Sequence, residues 1–255
     1  MEYGLVGRSV ALSFSKQIHA YLGNDAYELC SMDGDAFRAF MERRDFRGIN
    51  VTMPYKRDVI PYLSEMDAPA RAIGAVNTVV NRGGRLTGYN TDYPGFLYMM
   101  NRCGVSPAGK KVVVLGNGGA AQAVLAVLRD QGAAQIIIAK PRPSAETITT
   151  EDCIRLHSDA QLIVNTSPVG MAPHSGETPL DLSSFRRAEA VLDIIYNPLE
   201  TRLLREAAAK GLVTAGGLTM LVAQAKYAAE FFTGTAIPDA KIEEIIGILE
   251  ARLRT

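Results

Sequence analysis

The residues best placed to do chemistry stand at the ends of apolar runs. Gly116-Asn117-Gly118-Gly119-Ala120-Ala121 satisfies G-x-G-x-x-[GA] directly after the apolar run 112–115 and at the start of a helix-period segment. Gly116 permits a tight turn and Gly118 lets the backbone approach a pyrophosphate. Small Ala121 lets the helix pack on a sheet with its first N–H groups turned to the phosphates. The pattern points to dinucleotide binding. About 20 residues on, a carboxylate would bond a ribose 2′-hydroxyl. The chain there reads Ala139-Lys140-Pro141-Arg142, and two cations favour a 2′-phosphate, hence NADP, with NAD as the alternative. The plain reading of the same pair is two solvated cations on a loop.

In the front half, four polar clusters sit at the ends of elements, and the one at 50–56 leaves the C-terminal end of a strand, the edge at which open α/β sheets take ligands. They are Ser13-Phe14-Ser15, Asn50-Val51-Thr52-Met53-Pro54-Tyr55-Lys56, Gly74-Ala75-Val76-Asn77-Thr78 and Asn90-Thr91-Asp92. Each residue singly has a structural explanation. Ser15 and Asp92 make good N-caps, Asn77 and Asn90 are turn residues, and Lys56 is one lysine among many.

The elements that must position these clusters follow from hydrophobic periodicity. Short apolar runs alternate with helix-period segments, the pattern of α/β proteins with largely parallel sheets. Strands are expected at 3–7, 27–32 and 48–52, then a hairpin of 76–81 and 85–89 around Gly83-Gly84, with helices at 15–22, 35–44 and 92–103. A short helix should follow Pro54. Beyond a joint at Ser106-Pro107-Ala108-Gly109, strands are expected near 111–115, 136–138, 162–165 and 191–195, and helices at 120–131, 152–157 and 203–210. Two tail helices, 220–232 and 240–253, should return to the first domain. The expected domains are therefore 1–105 plus 220–255, and 106–219.

Composition narrows the partners. A chain of 255 residues with 47% hydrophobic and 21% charged residues can build a full core, which rules out a disordered or disulfide-stapled protein. Lys+Arg 27 balance Asp+Glu 27, so no basic field draws nucleic acid or an anionic membrane, and a small molecule is the expected partner. Cys30, Cys103 and Cys153 form neither a C-x-x-C pair nor a framework, Met1-Glu2-Tyr3-Gly4 lacks signal-peptide character, and no run approaches the roughly 20 apolar residues of a membrane span. A cytoplasmic location is expected, and a monomer or homodimer. His19, His157 and His174 show no ligand spacing, so no metal is expected and all three are placed on surfaces or helix faces.

Taken in order along nearly the whole chain, six segments resemble the shikimate dehydrogenase family: Ser13-x-Ser15, Asn50-Val51-Thr52-x-Pro54-x-Lys56, Gly74-Ala75-Val76-Asn77, Asn90-Thr91-Asp92, Gly116-x-Gly118-Gly119-Ala120 and Met220-Leu221-Val222-Ala223-Gln224. The resemblance implies two α/β domains. One is a substrate domain with a mainly parallel sheet, completed by the C-terminal helices; the other is a Rossmann-like NADP-binding domain, and a cleft separates them. It implies reversible NADP-dependent reduction of 3-dehydroshikimate to shikimate, on the route to chorismate and the aromatic amino acids. By the same resemblance Ser13 and Ser15 hold the substrate carboxylate with Tyr196 nearby, and the ring hydroxyls fall to Thr52, Asn77, Asp92 and Gln224. The cofactor is assigned to the turn from Gly116 through Asn117, Gly118 and Gly119 to Ala120, to Ala139, Lys140 and Arg142 at the adenosine end, and to Ile194 and Gly217. The loop from Asn165 to Met171 resembles the family stretch beneath the nicotinamide.

Reducing a ring ketone needs a hydride and a proton on the oxygen, and the reverse needs a base. Among the residues so assigned, Lys56 and Asp92 suit both directions, Lys56 as the acid/base and Asp92 as its partner. A second role for Lys56, orienting the hydroxyl and stabilising charge in the transition state, stays open. The chain departs from the family pattern at Leu12, which replaces a histidine, and at Ala139-Lys140-Pro141, which replaces Asn-Arg-Thr and keeps one cation. The segment 142–161 is short for a full crossover. Two rival readings are a quinate/shikimate dehydrogenase using NAD or NADP, and a noncatalytic ligand-binding regulator. Intact Lys56 and Asp92 argue against the regulator.

Overall fold

Leu5, Val6, Tyr27, Ile49 and Val51 put branched or aromatic side chains into three short runs, the residue types that suit a pleated surface. In the computed structural model, which describes residues 1–253, those runs become β1 (Tyr3–Gly7), β2 (Tyr27–Ser31) and β3 (Gly48–Val51), linked by α1 (Ser15–Tyr21) and α2 (Gly34–Arg43). β1 lies between the other two and is parallel to both. After β4 (Glu65–Met66) and α3 (Ala68–Ile73) comes the hairpin of β5 (Thr78–Arg82) and β6 (Arg85–Tyr89), giving the order β2-β1-β3-β5-β6-β4 with β5 antiparallel to both neighbours. Gly83 and Gly84 make the turn at φ +60° and +88°, the left-handed pair that a tight hairpin requires. Val6, Ile49, Val79 and Leu86 pack against Phe37, Phe40 and Met41 from the apolar stripe of α2. β4 and α3 were not foreseen, because two and six residues are too few for either period to register. The short helix expected after Pro54 is a chain of turns, followed by a brief 3₁₀ segment at Ile60–Tyr62.

The second sheet begins after α4 (Asp92–Arg102). β7 (Lys111–Leu115), α5 (Gly119–Asp130), β8 (Gln135–Ala139), α6 (Thr150–His157), β9 (Leu162–Asn165), β10 (Ala190–Asp193), α7 (Arg202–Ala209) and β11 (Val213–Gly216) build an all-parallel sheet in the order β11-β10-β9-β7-β8. The central runs are buried without alternation, as strands covered on both faces are. β11 was missed because Val-Thr-Ala-Gly is short and starts exposed at the sheet edge. In the short 142–161 stretch Ile148 makes a single bridge to Ala139 beside β8, where a further strand would extend the sheet. The chain passes from β8 back beyond β7 to β9, so the carboxyl ends of β7 and β9 form a topological switch point, the ligand position of such sheets. α8 (Leu218–Thr233) and α9 (Ala240–Leu253) follow.

The α/β class, the mainly parallel first sheet and the Rossmann-like second sheet are those expected from sequence. Contacts divide the chain into one unit of Met1–Gly95 with Val222–Leu249 and another of Phe96–Leu221 with the residues from Glu250 on. This division falls inside α4, between Gly95 and Phe96. Ala228 and Phe232 of α8 cover Leu5, Tyr27 and Val80 on the back of the first sheet. Among the described residues no helix is long and apolar enough to cross a membrane.

Candidate active site

Beyond β3 the chain turns through Thr52 and Met53, and the Lys56 carbonyl accepts from Val76 N at 2.8 Å, which pins the loop against the entry to β5. Asp92 is the first residue of α4, but its carboxylate is not the cap. Asn90 Oδ1 accepts from Tyr93 N at 3.3 Å instead. Asp92 is thereby left to meet Lys56, with Nζ to Oδ2 at 2.5 Å and side chains 13% and 10% exposed. A short ionic hydrogen bond so far withdrawn from water is stronger than a surface pair.

Asn77 is a buried node and not a turn residue. Its Oδ1 accepts from Thr91 N at 2.7 Å, and the Thr91 hydroxyl donates to Gln224 Oε1 at 3.4 Å. Behind it Tyr27 Oη donates to Asn50 Oδ1 at 2.7 Å, and Asn50 Nδ2 donates to Thr78 Oγ1 at 3.0 Å and to the Asn77 carbonyl at 3.2 Å. Sequence reasoning gave Asn50 and Thr91 no role of their own. An amide between Ile49 and Val51 of a fully buried strand was the available signal. Ser13 Oγ donates to Ser15 Oγ at 3.0 Å and accepts from Ser15 N at 3.2 Å. Ser15 is not an N-cap, since α1 is preceded by Phe14 and has no side-chain cap bond. Thr52 follows β3 half-buried, its N–H donating to Val6 O at 2.9 Å.

His19 lies on a helix face, and that face is the buried one. It is buried in α1, stacked on Tyr27 at 3.9 Å between ring centroids and 6° between planes. Neither ring nitrogen has a hydrogen-bond partner. Burial pushes the imidazole down to about 3, against a smaller upward pull from the Asn50 side chain, whose own oxygen and nitrogen are engaged elsewhere.

In the second unit Gly116 has φ +99°, and a Cβ there would press on Ser167 N and Thr166 Oγ1 at 3.0 Å, so the β7 turn and the turn after β9 meet at the switch point. Gly118 precedes α5 without any side-chain cap. By contrast Asp33, Asp67, Thr149 and Thr201 each accept a backbone N–H at the starts of α2, α3, α6 and α7. A Cβ at Gly118 would meet nothing within 4 Å. These are the features a dinucleotide phosphate needs: open N–H donors and room for close approach. Asn117 Oδ1 accepts from Gln122 Nε2 at 2.7 Å, and Gly119 and Ala120 open the helix. Ala139 is buried in the hydrophobic core, and its carbonyl accepts from Gly116 N at 2.8 Å. Lys140 is half-buried and Arg142 exposed. Ile194 and Tyr196 follow β10, and Gly217 follows β11 with its N–H on Ile195 O at 2.9 Å. A Cβ on Gly217 would overlap the Ile194 carbonyl. Among the described residues no cluster of His, Cys, Asp and Glu could hold a metal ion.

Residues 5–79 match the family model of the shikimate dehydrogenase substrate binding domain. The chain is 35% identical to a shikimate dehydrogenase (NADP(+)) of Bacillus cereus over 96% of either sequence. It superposes on a chorismate mutase/shikimate 5-dehydrogenase fusion protein from Clostridium acetobutylicum with a TM-score of 0.91 and 33% identity, covering 99% of this chain and 98% of that one. It also superposes on shikimate 5-dehydrogenase from Thermus thermophilus, solved with NADP(H) and shikimate, with a TM-score of 0.85 and 33% identity over 96% and 98% of the two chains. By identity and by coverage, this chain belongs to the shikimate dehydrogenase family.

Proposed function

We propose that this chain interconverts 3-dehydroshikimate and shikimate with NADP. The observation that carries the reading is the secluded Lys56–Asp92 pair at 2.5 Å, set beside a ring of hydrogen-bonding side chains in a chain of this family. Bound NADP would supply the hydride acceptor for oxidation, and its reduced form the hydride donor for reduction. In the reducing direction Lys56 Nζ, oriented by its hydrogen bond to Asp92 Oδ2, gives a proton to the carbonyl oxygen. In the oxidising direction it receives the hydroxyl proton.

Each remaining residue has a task suited to its chemistry. The Ser13 and Ser15 hydroxyls donate to the substrate carboxylate, a charge-assisted contact that needs no arginine, and Tyr196 is assigned to the same group. Thr52, Asn77, Asp92 and Gln224 satisfy the ring hydroxyls. A site of this kind discriminates strongly against an analogue that leaves its buried donors and acceptors unpaired. The uncapped α5 N-terminus and the Gly116–Ala120 turn hold the pyrophosphate. Lys140 and Arg142, which have no ionic partner among the described residues, hold a 2′-phosphate, and Ile194 and Gly217 border the nicotinamide.

The test is a four-way assay of shikimate and quinate, each with NADP and NAD, followed by nicotinamide absorbance. Turnover of shikimate with NADP above the other three pairs supports the reading. Preference for quinate or for NAD selects the rival enzyme, and binding of shikimate without turnover selects the noncatalytic regulator.

A further inference from the structure

Asp193 closes β10 with no solvent exposure, and its carboxylate faces three donors from three segments. Asn165 Nδ2 donates to it at 3.1 Å, Ile195 N at 3.0 Å and Thr201 Oγ1 at 2.7 Å. Through Asn165 it reaches the turn after β9, because Asn165 Oδ1 accepts from Ser167 N at 3.0 Å and Ser167 Oγ at 2.7 Å, and Nδ2 also reaches Val169 O at 3.3 Å. Through Ile195 it reaches the 194–196 stretch, which is locked to Gly217 by the Gly217 N to Ile195 O bond at 2.9 Å. Through Thr201 it reaches the start of α7, where the same hydroxyl accepts from Leu204 N at 3.3 Å.

A buried carboxylate is an expensive way to hold a fold together, since well-packed apolar residues often stabilise as much. Burial raises the Asp193 carboxyl and the three donors work against that rise. None of the three bonds serves the sheet ladder. All of them fix irregular backbone at the carboxyl ends of β9 and β10, and that backbone carries Ile194, Tyr196 and, by way of Ile195, Gly217. The groups assigned to the adenosine end, Lys140 and Arg142, lie outside this network.

We infer that Asp193 is a positioning residue: by tying Asn165, Ile195 and Thr201 to one carboxylate it sets where the nicotinamide ring lies, while leaving the hold on the adenosine phosphate unchanged. The inference rests on the proposed function, and its test separates the two. Asp193→Asn keeps the shape but turns an N–H₂ group toward a donor. The expected result is a fall of about 100-fold in kcat for shikimate oxidation, with affinity for 2′,5′-ADP, which lacks the nicotinamide, held within about two-fold. The fluorescence of bound NADPH should shift as well, a readout independent of turnover. Thr201→Val should act in the same direction and Thr201→Ser should restore most of the loss, and this pair decides the matter if Asp193→Asn does not fold. Wild-type kcat and wild-type NADPH fluorescence in Asp193→Asn overturn the inference, as does an equal loss of 2′,5′-ADP and NADPH binding. A wild-type protein that binds NADPH but oxidises no shikimate refutes the functional reading, and the fluorescence comparison still judges Asp193.

Discussion

Replacing His19 by phenylalanine should change how the protein responds to acid. In the folded chain the imidazole is held at about 3 against an ordinary 6.5, and burial is the main cause. The native state therefore binds fewer protons than the unfolded chain between those values. Stability is unaffected above 6.5, falls as pH drops through the window, and levels off below the native value. From that gap the loss amounts to about 2 kcal/mol by pH 5, with a limit on the order of 5 kcal/mol. The groups that face His19 are Tyr27, Asn50 and Phe232, and Tyr27, pushed upward by its own burial, stays neutral throughout. His19→Phe keeps an aromatic face for Tyr27 and cannot titrate. Urea unfolding of both proteins at pH 7 and pH 5 gives the comparison, and the carboxylates common to both cancel. Wild type should lose about 2 kcal/mol more than the variant. Equal losses would refute the reasoning, because an imidazole that charges without penalty cannot be sealed behind Tyr27.

Three further perturbations bear on the site itself. Lys56→Met should lower kcat by about 10²–10⁴-fold with a much smaller change in KM for shikimate, measured by steady-state kinetics in both directions; unchanged kcat would remove Lys56 from the proton transfer. Gly217→Ala forces a Cβ into the Ile194 carbonyl, and the backbone shift that relieves it should cost about 100-fold in kcat with the α5 turn intact. Lys140→Ala should raise KM for NADP about ten-fold, the size of one charge-assisted contact, and leave KM for NAD unmoved, so that equal effects on both cofactors would place Lys140 away from the 2′-phosphate.

The strands and helices long enough to show a period were legible. Strand 3–7, the 85–89 arm of the hairpin and the helix 240–253 stand where apolar spacing puts them. β4 and α3 were not, since two and six residues hold too few side chains to display either period, and β11, four residues like β9, lacks the large apolar run that marks β9. Among the site residues, the motif order located Lys56 and Asp92, but their meeting at 2.5 Å joins positions 36 apart and no local rule predicts it. That His19 is on the buried face of α1 was not legible, because one histidine in a seven-residue helix gives no hint of which face it occupies. Only Tyr27 and Phe232, distant in sequence, settle that. Ala139 ends β8 with its methyl in the core, a packing role that its place in the motif does not display.

Helix starts in this chain separate structural from chemical duty. At α2, α3, α6 and α7 an Asp or Thr in the cap position accepts a backbone N–H, and its side chain is thereby committed to holding the helix. At α4 Asn90 takes that task, so a carboxylate that local preference would assign to capping is left for Lys56. At α1 and α5 no side chain takes it; α1 is preceded by Phe14, whereas at α5 Gly118 leaves the donors open with room for close approach. Thr201 does both, capping α7 and donating to Asp193. Local propensity fails at the positions where a ligand or a reacting group needs what a cap would have used, which is where conflict between local rule and structure is expected to mark function. By that criterion Asp92, Gly118 and the Asp193–Thr201 pair stand apart from the other caps on physical grounds alone.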